Sequence, residues 1–169
     1  MPHSFDFFND DVKKFVDEVL KSSRIVDIGP GAGKYGKMFK REGRTVDAVE
    51  VFPFYIDQYK LRDVYNTIFV QNVTEFKPAP GAYDLVIMGD VLEHLTVEEA
   101  RGFLLHLEQS RIPVLVLVPY HYPQLASHGN EHEEHKRAKP REQGRTPAAS
   151  CLQAKCSCWV RWPRLAPRW

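Results

Sequence analysis

The sequence has no apolar run approaching the roughly 20 residues that a helix needs to cross a bilayer. Its start mixes acids with phenylalanines and shows neither a basic stretch nor an apolar signal core, so no membrane span or secretion signal is expected, and a cytoplasmic location is. Cysteine is scarce, three in 169 residues, and Cys151, Cys156 and Cys158 all lie near the C-terminus. Disulfides are not expected in a cytosolic chain, and the spacing of these cysteines with His135 matches no standard zinc finger. A surplus of charge is also missing, with a formal net charge of +1. The balance is uneven: residues 1–137 hold 16 Lys and Arg against 21 Asp and Glu, while residues 138–169 hold 7 against 1. An acidic body disfavours nucleic acid as a partner, because affinity for phosphates comes mostly from Lys and Arg. The length suits one domain with a proper core.

What the sequence does have is Arg24-Ile25-Val26-Asp27-Ile28-Gly29-Pro30-Gly31-Ala32-Gly33-Lys34-Tyr35-Gly36. An apolar run closes on an acid and enters a turn with four glycines in eight residues. The pattern predicts strand, glycine turn and helix, a turn able to take positive φ and bring backbone N–H groups against a ligand. A P-loop is excluded, because Ile28 stands where its first glycine belongs and Tyr35 where its magnesium-binding hydroxyl belongs. Gly31, Gly33 and Gly36 fit G-x-G-x-x-G with Glu50 at a suitable distance downstream, which keeps an NAD(P)-dependent oxidoreductase as an alternative. Asp27 argues against it: a carboxylate before the glycines is poorly placed beside a pyrophosphate and well placed beside a cationic ligand. S-adenosylmethionine carries such cationic groups.

Val26-Asp27-Ile28-Gly29-Pro30-Gly31-Ala32-Gly33 resembles the first motif of the class I S-adenosylmethionine-dependent methyltransferases. The second motif resembles Val46-Asp47-Ala48-Val49-Glu50, the fourth Tyr83-Asp84-Leu85-Val86-Ile87-Met88-Gly89-Asp90-Val91-Leu92-Glu93-His94-Leu95, and the next strand Val114-Leu115-Val116-Leu117-Val118-Pro119. The resemblance covers roughly residues 10–136. It implies a doubly wound, Rossmann-like, mostly parallel α/β sheet with helices on both faces, binding its ligand beyond the carboxyl ends of the strands. It also implies S-adenosyl-L-methionine as cofactor, S-adenosyl-L-homocysteine as product, and a small-molecule acceptor methylated at oxygen or nitrogen. The implied cofactor-binding residues are Asp27, Gly29, Gly31, Gly33, Glu50 toward the ribose, Phe52 toward the adenine, Asn72 in place of the more usual acid, and Asp90.

Along the chain, Asn9 is expected to cap a helix carrying Val12, Phe15, Val16, Val19 and Leu20 on one face, ended by Ser22-Ser23. Tyr35, Met38 and Phe39 give the next helix its apolar stripe, with Glu42-Gly43 closing it. Pro53 fits a first helical position, Asn66 to Val70 a third strand, and Tyr83 to Gly89 a strand buried on both faces. Thr96-Val97-Glu98-Glu99 reads as a capping box opening a helix to about Gln109, with Phe103, Leu104 and Leu107 inward. A hydroxyl or amine acceptor needs its proton removed, and His94 and His121 are the candidates beside Asp90, with His128 third. If Asp90 to His94 forms a helical turn, Asp90, Glu93 and His94 share a face. A divalent metal completed by His121 or His128 is then an alternative, similar to the acid-x-x-Glu-His element of ubiquinone-pathway and small-RNA 2′-O-methyltransferases.

Residues 137–169 are read as an atypical basic tail following a methyltransferase domain at 1–136. The family continues with a helix, a sixth strand and an antiparallel seventh, and the remaining sequence does not supply all three, so truncated or atypical C-terminal strands are expected. Leu152, Ala154, Cys156, Cys158 and Val160 alternate with polar residues as one edge strand would. Without such cover the fifth strand would be a bare apolar edge inviting aggregation or a homodimer. A truncated or non-catalytic S-adenosylmethionine-binding protein is therefore a further alternative.

Overall fold

The apolar runs assemble into one sheet because the strands Arg24–Ile28, Thr45–Glu50, Leu85–Gly89 and Val114–Pro119 are buried on both faces, which is the environment of a parallel strand between helix layers. The computed structural model describes residues 8–119 and 156–161. The elements are α1 (Asn9–Lys14), continuing as a π-helical segment Phe15–Leu20, β1 (Arg24–Ile28), α2 (Lys34–Phe39), β2 (Thr45–Glu50), α3 (Pro53–Gln58) and α4 (Leu61–Val64). They are followed by β3 (Ile68–Val70), β4 (Leu85–Gly89), a 3₁₀ turn Leu92–His94, α5 (Val97–Gln109), β5 (Val114–Pro119) and β6 (Cys156–Arg161). The strand order is β3-β2-β1-β4-β5-β6. All neighbours are parallel except β5 and β6, which run antiparallel from Val114 opposite Arg161 to Pro119 opposite Cys156.

Strand alternation sorts the core into two layers. Ile25, Val46, Ala48, Leu85, Ile87, Leu115 and Leu117 face one way, packed by Val12, Val16, Tyr35, Phe39, Ile56, Leu61 and Tyr65. Val26, Ile28, Val49, Val86, Met88, Val114 and Val116 face the other, packed by Val73, Phe76, Leu95, Phe103 and Leu107. The period of two then puts Asp27, Glu50 and Gly89 in phase with the first layer, at or next to the carboxyl ends of β1, β2 and β4. The chain steps outward from β1 to β2 and β3, then returns to the other side of β1 for β4 and β5. The crevice where this direction reverses lies between β1 and β4.

Several boundaries differ from the sequence reading. Asn9 is the first helical residue and Phe8 the N-cap, with no side-chain cap bond; the helix ends at Leu20 on Lys21 in left-handed conformation. α2 stops at Phe39, well before Glu42-Gly43, because Lys40 is extended and Arg41 and Arg44 pair across a tight turn with Gly43 at φ 75°. The third strand begins at Ile68: Asn66 is used instead to accept a bond from the Val46 N–H through Oδ1. Pro53 does open α3, and the capping box is complete, with Thr96 Oγ1 accepting from the Glu99 N–H and Glu99 Oε2 from the Thr96 N–H. Phe103 and Leu107, one turn apart, are buried, while Leu104 is only partly so.

β6 covers the edge of β5 that the sequence left open to exposure. The edge strand expected around Cys156, Cys158 and Val160 is present: the backbone of residues 156–161 pairs with β5, while Leu152 and Ala154 lie outside the described residues. Among the described residues, no helix is long and apolar enough to cross a membrane.

Candidate functional site

Gly29, Gly31 and Gly33 all adopt positive φ, at 65°, 51° and 81°. At Gly29 a side chain is also sterically refused: a Cβ there would lie 2.7 Å from Val91 Cγ2. The turn is braced by the Gly29 N–H donating to Val49 O at 2.9 Å and the Gly33 N–H to Pro30 O at 2.8 Å. It joins the end of β1 to α2, at the mouth of the β1–β4 crevice. Gly36, the last glycine of the motif, serves packing, since a Cβ there would come within 2.5 Å of the Tyr65 ring.

Beneath the turn sits Asp27, fully buried in β1 between Ala48 and Ile87 of the flanking strands. Its Oδ2 accepts from the Tyr65 hydroxyl at 2.5 Å, and that hydroxyl accepts from the Gly36 N–H at 3.1 Å. Its Oδ1 is buried with no hydrogen-bond partner. Burial pushes the carboxyl up to about 7, the Tyr65 hydrogen bond pulls it down, and the Glu50 carboxylate pushes it up. An acceptor so placed is costly until a donor reaches it.

Glu50 ends β2, also buried, with Oε1 accepting from the Phe52 N–H at 2.8 Å. Asp47, the other acid of that strand, faces the opposite layer and is committed to structure: it accepts from the Thr67 N–H at 3.0 Å and the Tyr83 hydroxyl at 2.9 Å. Phe52 is the N-cap of α3, half-buried, its ring edge-on to Tyr55 at 5.0 Å. Asn72 lies in the loop after β3. Its Oδ1 already accepts from both the N–H and the hydroxyl of Thr74, each at 2.9 Å, so the oxygen closes a local turn instead of standing ready for a ligand.

At the end of β4, Asp90 has φ 56°, a left-handed conformation uncommon outside glycine, and its N–H donates to Leu117 O at 2.8 Å. The condition set for the metal alternative, a helical turn from Asp90 to His94, is not met in this geometry. Only Leu92–His94 is helical, as a 3₁₀ turn, so the i, i+3, i+4 argument fails for Asp90. Among the described residues no group of three His, Cys, Asp or Glu side chains is arranged to hold a metal ion. His94 is half-buried in that turn; His121 and His128 lie outside the described residues.

Tyr65 had no part in the sequence analysis, and Tyr35 was read there only as part of the apolar stripe of α2. Tyr35 lies over the end of β4, where a Cβ on Gly89 would meet its ring at 2.5 Å. Tyr65 belongs to no short motif and Tyr35 fills only a variable position of one, and each takes its meaning from a partner on another element.

A family model described as a methyltransferase domain matches residues 3–110 of the chain. No curated protein matches the sequence significantly. Among solved structures, magnesium protoporphyrin IX methyltransferase from Synechocystis PCC 6803, with bound S-adenosylhomocysteine, is similar at 20% identity and a TM-score of 0.54, over 68% of this chain and 55% of that one. An amino pentose methyltransferase from Micromonospora echinaspora, bound to S-adenosylmethionine, is similar at 16% identity and TM-score 0.53, over 64% of this chain and 48% of that one. A protein from Rhodobacter sphaeroides described as a putative zinc-dependent alcohol dehydrogenase is similar at 22% identity and TM-score 0.55, over 74% and 51%. The chain thus spans about half the length of these solved relatives. At these identities the likeness concerns the fold.

Proposed function

The chain belongs to the methyltransferase-domain family, and on that footing we propose that it is an S-adenosylmethionine-dependent methyltransferase acting at oxygen or nitrogen of a small molecule. The observation that carries this reading is Asp27: a buried carboxyl oxygen without a partner, directly behind a glycine turn too tight for a side chain at Gly29. A cationic amino group satisfies that oxygen, whereas a pyrophosphate would be repelled by it. Gly29, Gly31 and Gly33 would admit the cofactor's backbone contacts, Glu50 would receive the ribose hydroxyls, Phe52 would flank the adenine, and Asp90 would border the sulfur side. Asn72 is retained only as a neighbour, its oxygen being engaged with Thr74.

When bound, the cofactor supplies an activated methyl group for in-line displacement, so the protein's task is alignment and proton removal. Asp90, with a left-handed backbone at the end of β4, would line the approach to the crevice. His94, in the turn that follows, is the proposed group for taking the acceptor's proton, with His121 and His128 as the other candidates. The acidic body favours a small-molecule acceptor over nucleic acid, and a cytoplasmic location belongs to the same proposal.

Separate calorimetric titrations with S-adenosylhomocysteine, NAD and magnesium test this reading. Saturable binding of S-adenosylhomocysteine without NAD supports it and moves the work to acceptors. NAD binding alone would favour the oxidoreductase reading through Gly31, Gly33 and Gly36, which shares its fold with the dehydrogenase match. Binding of S-adenosylhomocysteine with no turnover on hydroxyl or amine acceptors would favour a non-catalytic binding protein. Silence toward all three ligands refutes the proposal.

A further inference from the structure

We infer that Tyr65 is a positioning residue of this site: its buried hydroxyl, held by the Gly36 N–H, fixes one oxygen of Asp27 so that the other is kept for the ligand's ammonium group. The inference rests on the S-adenosylmethionine reading given above.

The placement depends on three elements meeting at one atom. Tyr65 is the C-cap of α4, its own N–H donating to Leu61 O at 2.9 Å, and its ring packs where any side chain at position 36 would stand. The hydroxyl accepts from Gly36 in α2 and has a single proton, which it donates to Asp27 in β1 at 2.5 Å. Burial and the neighbouring Asp27 raise the phenol above its ordinary range, so Tyr65 stays protonated and stays a donor. Both carboxyl oxygens of Asp27 therefore have distinct fates. Oδ2 is tied inward, and Oδ1 is the buried acceptor left over.

The titratable groups that bear on Asp27 are Tyr65, between α4 and β3, and Glu50 at the end of β2. Glu50 disfavours a charge on Asp27 and Tyr65 favours it. Removing the hydroxyl thus does two things at once: the carboxyl loses its fixed rotamer, and its neutral form becomes more populated near neutral pH, where an ammonium ligand needs the anion.

The test is calorimetry with S-adenosylhomocysteine on the full chain, Tyr65→Phe, Asp27→Asn and the double variant, from about pH 6.5 to about pH 8.5. Tyr65→Phe keeps the ring against Gly36. It is expected to weaken binding about tenfold at the acid end and about threefold at the basic end, where Asp27 is ionised either way. On the Asp27→Asn background the same change should alter the dissociation constant by less than about twofold, because the residue acts through Asp27. A loss that is equal at every pH and multiplies independently with Asp27→Asn would mean a merely structural tyrosine and overturn the inference. Wild-type silence toward S-adenosylhomocysteine would instead sink the functional reading. Should Tyr65→Phe fail to fold, the wild-type chain labelled with 13Cζ-tyrosine decides: the Tyr65 resonance should move with a midpoint near neutral pH and again on adding S-adenosylhomocysteine, and a resonance flat to both refutes the role.

Discussion

Asp27→Asn should make the ligand-free protein more stable and the site worse, in the same variant. In the folded chain the Asp27 carboxyl is raised from 3.8 to about 7, chiefly by burial. A group raised on folding binds its proton more tightly in the native state. Stability therefore falls as pH rises from the unfolded value through the folded one, and is level above it. That rise corresponds to roughly 4 kcal/mol at about pH 8. The amide carries no charge to bury, but its nitrogen lacks a partner where Oδ1 lacks one now, at a cost of about 1–3 kcal/mol. The net expectation at about pH 8 is a gain of about 1–3 kcal/mol, or roughly 2–10 °C in Tm for a chain of this size. At about pH 5, where wild-type Asp27 is itself neutral, the gain should vanish or reverse. Binding of S-adenosylhomocysteine should meanwhile weaken by about tenfold or more, at least roughly 1.4 kcal/mol. Thermal melts by circular dichroism at both pH values, with calorimetry alongside, read all three numbers. A variant no more stable than wild type at the higher pH, or one that binds as tightly, would refute the assignment of Asp27 as a strained acceptor held for a cation.

Other perturbations probe the frame around the site. Gly29→Ala combines φ 65° with a Cβ 2.7 Å from Val91 Cγ2, so a loss of about 1–3 kcal/mol is expected in melts, eased on a Val91→Ala background. Thr96→Ala removes the cap of α5 and should cost about 1 kcal/mol while leaving S-adenosylhomocysteine affinity within about twofold, since Thr96 and Glu99 bond to each other and are not among the residues assigned to the cofactor. Asp84 accepts from the Ser23 and Arg24 backbones, from the Ser23 hydroxyl and from the Arg24 guanidinium, and although burial pushes its carboxyl up, these bonds hold it down at about 2. Its contribution is present above the unfolded value of 3.8 and is lost as pH falls through about 2, so Asp84→Ala should destabilise at neutral pH and flatten the acid limb of a Tm-against-pH curve.

The elements whose signals are local were legible in the amino acids. β1, β2, β4 and β5 are short apolar runs, the glycine turn carries its own φ requirement, Pro53 and the Thr96–Glu99 box mark helix starts, and all of these are decided within a few residues. The order of the four motifs was enough to expect a parallel sheet with Asp27, Glu50 and Asp90 near one edge. Helix ends were less legible: Phe8 replaces Asn9 as cap and α2 stops at Phe39, because fraying ends respond to the packing of Arg41 to Arg44 more than to composition. What tertiary structure alone decided is how side chains distant in sequence share atoms. Asn72 turned to Thr74, Asp90 left the helical turn for a left-handed backbone, and residues 156–161 paired with β5 across a long stretch of intervening chain. Above all, Tyr65 lies 38 positions from Asp27 and yet donates to it, while Gly36 yields its side-chain space to the same ring. No periodicity or short motif encodes such a contact, since a hydrogen bond closed by packing α4 against β1 and α2 depends on the relative placement of three elements.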